Sequence, residues 1–151
     1  MQPALKEFID LTPTPQALIR VAIKDLEQAE KNPDYLVHMN QWHDPYRSAE
    51  IGKYGKCAVC LAGACMTRFT PPNVDCVPSH YPSPIEKRLL ALNSFRIGQV
   101  ASGLNYLNIS MDTLDWYVEI VPEYEKFPKK FKKKMLRLAK DLERKNFKIR
   151  A

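Results

Sequence analysis

The sequence predicts an all-α protein, a single compact domain of four to five helices that ends in a basic amphipathic helix. Three observations carry that prediction. Apolar residues recur at steps of three and four over most of the chain, and proline-containing start and stop signals bracket the periodic stretches. The charge is also divided: residues 126–151 hold twelve Lys and Arg against Asp141 and Glu143, a net of +10 within a total of +6, which leaves −4 for residues 1–125. The expected organisation is a helical body over 1–125, with a long aromatic loop at 33–55, and a basic helix over 126–151 docked on the body or extending from it.

Pro3 to Leu11 is long enough for two turns of helix before Thr12-Pro13-Thr14-Pro15 interrupts it. Thr14 is a good N-cap and Pro15 suits the first helical position, where a missing N–H costs nothing. Ile19, Ala22, Ile23, Leu26 and Ala29 then follow helical spacing until Asn32-Pro33 stops the run. Residues 33–55 are the least regular part, with Tyr35, Trp42, Tyr46 and Tyr54 among prolines and glycines, and long loops of this kind are commonly functional or packed as a covering segment.

A small-residue helix is expected from Lys56 to Arg68. Gly63 inside it would cost about 1 kcal/mol relative to Ala, which suggests a neighbouring element packed directly against it. Ser83-Pro84-Ile85-Glu86 reads as a capping box opening a helix that keeps its apolar pattern to about residue 107. Ser110 to Val121 fits either state and is read as helix. Finally Phe131, Met135, Leu138 and Leu142 make one narrow apolar stripe on a helix otherwise covered in lysine and arginine.

No apolar run approaches the roughly eighteen residues that a membrane span needs. Met1 to Glu7 has neither a basic n-region nor an apolar stretch, so a cytoplasmic protein is expected, with its four cysteines as thiols or metal ligands. Five glycines leave little scope for a phosphate-binding loop.

Cys57-x-x-Cys60 followed by Cys76-x-x-x-His80 has the ligand types and spacing of a tetrahedral zinc site. The apolar Leu61-Ala62-Gly63-Ala64 that follows is unlike a zinc knuckle and favours thiols buried as small hydrophobes. A third reading makes Cys57 or Cys60 a nucleophile at a helix N-terminus, where the dipole favours the thiolate, with His43 or His80 as base in a hydrolase or transferase. No cofactor is expected on the packing reading and zinc on the alternative.

Trp42-His43-Asp44-Pro45-Tyr46 suits either a structural loop or a recognition surface in which Trp42, His43 and Tyr46 meet a partner. Lys129, Lys130, Lys133, Lys134, Arg137, Lys140 and Arg144 can neutralise several phosphates or dock on an acidic protein, and the bland alternative is a solvated helix face. The apolar stripe of that helix serves its own body or a homodimer.

The order Trp42-His43, then Cys57-x-Val59-Cys60-Leu61-Ala62-Gly63-Ala64-x-Met66, then Leu89-Leu90-Ala91-Leu92-Asn93-Ser94-Phe95-Arg96-Ile97-Gly98, resembles small bacteriophage-encoded accessory proteins. The likeness covers about residues 40–105 and carries over no catalytic residue. It implies a non-enzymatic protein, acting in the host cytoplasm, that binds and disables a host defence or nucleic-acid-processing protein. Its partners would be a host protein or nucleic acid, with no membrane involved.

Overall fold

Thr14 leaves the helical region of the backbone and its hydroxyl accepts the Ala17 N–H at 3.2 Å, so the predicted cap forms, with Pro15 at the first position of the helix it starts. The computed structural model describes residues 3–45, 56–74, 83–109 and 121–145. In chain order it places α1 at Pro3–Leu11, α2 at Pro15–Lys31, β1 at Tyr35–Val37, β2 at His43–Asp44 and β3 at Cys57–Val59. The helices α3 at Leu61–Met66, α4 at Ser83–Phe95, α5 at Val100–Tyr106 and α6 at Pro128–Lys145 follow.

The domain is mostly helical with a small mixed sheet, so the all-α expectation is corrected, and six helices rather than four or five stand among the described residues. Its central strand is β3, parallel to β1 with Tyr35 opposite Cys57 and Val37 opposite Val59, and antiparallel to β2 with His43 opposite Val59. The Cys57 N–H donates to the Asp34 carbonyl at 2.9 Å, and the His38 N–H to that of Val59 at 2.8 Å. Cys57-Ala58-Val59 is buried on both faces, so it shows no alternation in sequence. A short apolar run of that kind reads equally as helix or strand.

The predicted helix from Lys56 to Arg68 is thereby shortened to Leu61–Met66. Cys60 is its N-cap in extended backbone, and every residue of the helix is buried. The long helix predicted to residue 107 is also divided. Gly98, at φ +77°, turns the chain between α4 and α5, and a β-carbon there would come within 2.5 Å of the Val121 carbonyl oxygen. Helix α4 begins at Ser83, one residue before the Pro84 that the capping box places first, and the Ser83 side chain itself lies outside the described set. Of the helix expected over 110–121, residues 110–120 fall outside the described residues and Val121 is not helical.

The core is one continuous cluster. Leu18, Ile19, Ala22, Ile23 and Leu26 of α2 meet α3 on one flank and α6 on the other, and Ile85, Leu89 and Leu92 of α4 close against α3 and α5. Phe131, Met135, Leu138 and Leu142 are buried, so the stripe of α6 is occupied by the body of the same chain. Burial of each such side chain contributes about 1.5–3 kcal/mol. Charged pairs line the rim of this contact: Arg20 with Glu143, and Lys132 with Glu30 at 2.8 Å and Glu27 at 3.9 Å.

Candidate functional site

Once the apolar stripe of α6 is spent on α2, helical geometry fixes what the opposite side presents. Lys130, Lys133, Arg137, Lys140 and Arg144 follow one another at steps of three and four, on the side away from Phe131, Met135, Leu138 and Leu142. All five are exposed, as are Lys129 and Lys145 beside them, whereas Lys134 is half-buried. At 1.5 Å per residue the row from Lys130 to Arg144 runs about 21 Å in a nearly straight line.

The nearby carboxylates are already matched. Glu143 is taken by Arg20, which holds it below its ordinary value by hydrogen bonding, and Asp141 by Arg144. Lys129, Lys130, Lys133, Lys140 and Lys145 make no ion pair among the described residues, so the outer face is a surplus of positive charge. At its head Phe127 is 48% exposed, with the Lys130 ammonium 5.0 Å from the ring centre.

The cysteine segment is arranged quite differently. Tyr35, Cys57 and His43 fall on one face of the sheet, because Tyr35 pairs with Cys57 and His43 with Val59, two residues along the same strand. His43, expected on a partner-facing loop, is wholly buried, its ring set edge-on to that of Tyr35 at 5.9 Å. Burial pushes the Tyr35 hydroxyl up to about 12, with Cys57 and Asp34 adding to the rise. Trp42 is half-buried and packs on the core, and Tyr46 lies outside the described residues.

The Cys57 sulfur is 3.5 Å from His43 Nδ1 and 3.9 Å from Nε2. A sulfur on the line of one ring nitrogen would be markedly farther from the other, so the near-equality puts it beside the ring rather than along an N–H or lone-pair direction. Nδ1 is 2.7 Å from the Val74 carbonyl, which only accepts, and therefore carries the proton and donates it there. The ring is oriented by that bond and packs on the thiol. It is not aligned to take the thiol's proton.

A groove of about 260 Å3 opens nearby, lined by Asp34, Pro45, Lys56, Pro72 and Asn73. These lie within two residues of Tyr35, His43, Cys57 and Val74 along the chain, but the buried sulfur and imidazole are not in the lining. Cys60 and Cys65 are also enclosed. Burial raises both thiols, well above 9.0 for Cys65, whose neighbour Asp25 raises it further. Among the described residues no three His, Cys, Asp or Glu side chains come together as metal ligands. Cys76 and His80, the other half of the zinc reading, lie outside them.

One pair went unforeseen. Asp25, only 3% exposed, accepts two hydrogen bonds from Arg68, at 2.7 Å from Nε and 2.8 Å from Nη2. Burial raises its carboxyl above the ordinary 3.8, and Arg68 offsets that rise. The signal was present in the sequence, since Asp25 stands between Ala22 and Ala29 at the spacing of the apolar stripe. Among the described residues no helix is long and apolar enough to cross a membrane. Comparison with protein-family models, with curated proteins and with solved structures finds no match to this chain.

Proposed function

We propose that this chain is a non-enzymatic binding protein, an accessory protein of the bacteriophage kind, that disables a host macromolecule and attaches to it through the outer face of α6. The observation that carries the reading is the division of labour on that helix. Its apolar stripe is consumed by α2, while the opposite face keeps a row of exposed, unneutralised lysines. A helix that needed charge only for solubility would carry acids among its bases. Its two acids are each tied to an arginine, the exposed Glu143 to Arg20 of α2 and the buried Asp141 to Arg144.

Tagged protein incubated with a bacterial host lysate at low and high salt tests this, alongside a variant carrying Lys130→Glu, Lys133→Glu and Arg137→Glu. The native chain is expected to retain a partner that salt releases and that the variant fails to hold. Equal retention of the same partner by both proteins would remove α6 from the function.

A second reading, a thiol-dependent hydrolase or transferase, is favoured by one observation, the 3.5 Å approach of Cys57 to His43. It requires the sulfur to reach the neighbouring groove. Loss of an enzymatic turnover on Cys57→Ser, with folding retained, would establish it over the binding reading.

A further inference from the structure

We infer that the anion held by the outer face of α6 is the phosphodiester backbone of a nucleic acid, bound without regard to base sequence; this rests on the reading of α6 as the attachment face. The choice over an acidic protein comes from the kind of cation and its setting. The cations of the face that make no ion pair among the described residues are lysines, Lys130, Lys133 and Lys140 in the row and Lys129 beside it, with Arg137 between Lys133 and Lys140 and Arg144 at the end. An ammonium is a compact, strongly hydrated point charge on a flexible stem, suited to phosphate oxygens at variable positions. Planar, two-pronged recognition, of carboxylates and phosphates alike, belongs to arginine.

Protein interfaces, moreover, are depleted of lysine at their centres, because desolvating an ammonium and ordering its stem is costly, and they are built round buried apolar anchors. The outer row of α6 has no such anchor from Lys130 to Arg144. Its fully buried apolar side chains are on the other face, against α2, and Leu136, beside Lys133 and Lys140, is half-buried and packed on the core. A phosphate backbone needs none, since release of its condensed counterions supplies the driving force. An exposed aromatic, Phe127, stands at the end of the row with Lys130 over its ring, where a base of an unpaired strand can stack on it. The row is straight, about 21 Å long, and long enough to follow several phosphates of one strand.

The test is fluorescence anisotropy of labelled mixed-sequence DNA, single-stranded and duplex of equal length, titrated with the full chain over a salt series. Binding that is indifferent to sequence is expected, with a log–log salt slope of about −3 to −5. The variant K129Q/K130Q/K133Q/K140Q should flatten the slope by about three units while unfolding at the denaturant concentration of the native protein. Phe127→Ala separates the two forms of DNA: about tenfold weaker binding to the single strand with the duplex unchanged identifies an unpaired strand as the ligand, and equal affinities before and after identify the duplex backbone.

Polyglutamate is the control polymer. Failure of both DNAs to bind at low salt, with polyglutamate bound and lost in the lysine variant, would overturn the nucleic-acid inference and leave α6 as an attachment face for an acidic protein. Failure of all three polymers would overturn both readings. A salt slope unchanged by the four substitutions would place the DNA elsewhere on the molecule and sink the inference as well.

Discussion

The carbonyl oxygen of Trp42 lies against Gly63: a β-carbon built on Gly63 would stand 1.4 Å from it, and 3.1 Å from the β-carbon of Val59. This contact joins the aromatic segment at Trp42 to the middle of α3, and it explains why a helix otherwise made of good packing residues accepts a glycine. Gly63→Ala must therefore push the loop backbone away. A loss of about 3 kcal/mol or more in urea denaturation is expected, at the severe end of single substitutions. A loss below about 1 kcal/mol would show that the loop yields freely.

Arg68 is the counter-charge of a carboxylate that is otherwise buried. Removing it as Arg68→Ala leaves Asp25 without that partner and should cost about 3–5 kcal/mol at neutral pH. The pH dependence follows from the direction of the Asp25 shift. Its folded carboxyl binds a proton more readily than the unfolded one, so its favourable contribution is full below 3.8 and is lost as pH rises through the folded value. Without Arg68 that value climbs farther. Urea midpoints should then fall more steeply between about pH 4 and about pH 7 in the variant than in the native protein, and parallel profiles would show that Arg68 is not the compensating charge.

Cys60 and Cys65 are fully enclosed, with thiols raised by burial. Both the small thiolate fraction and the lack of access predict that an aromatic disulfide reagent labels them no faster than the protein unfolds. Labelling of native and urea-unfolded protein, read by mass spectrometry of the peptides, decides this. Fast modification of either residue under native conditions would mean that α3 opens readily.

Leu138 and Lys133 sit on the same helix and should behave oppositely. Leu138 is 1% exposed in the contact with α2, and Leu138→Ala is expected to cost about 2–5 kcal/mol. Lys133→Ala removes an exposed side chain with no ion pair among the described residues and should change stability by less than about 0.5 kcal/mol. Comparable losses from both would mean that α6 is not seated on α2 by its apolar stripe.

The sequence by itself determined the helices α2 and α6, the Thr14 cap and the two-sidedness of α6. Each rests on a signal confined to neighbouring turns: Thr14 beside Pro15, the stripe from Ile19 to Ala29, and the alternation of Phe131, Met135, Leu138 and Leu142 with lysine. The need for close packing at Gly63 was legible too, but not that Trp42 supplies it. Only the tertiary structure decided the sheet, since strands of two or three residues are too short to carry a period and β3 exists because β1 and β2 approach it from distant parts of the chain. The same holds for the candidate sites. Cys57 met His43 through strand register, which set the thiol beside the imidazole ring, and Asp25 of α2 met Arg68 just beyond α3. The lysines of α6 became an outward face only when α2 covered the other side, because a helix records in its sequence which residues share a face, whereas what lies against that face is fixed by the rest of the fold.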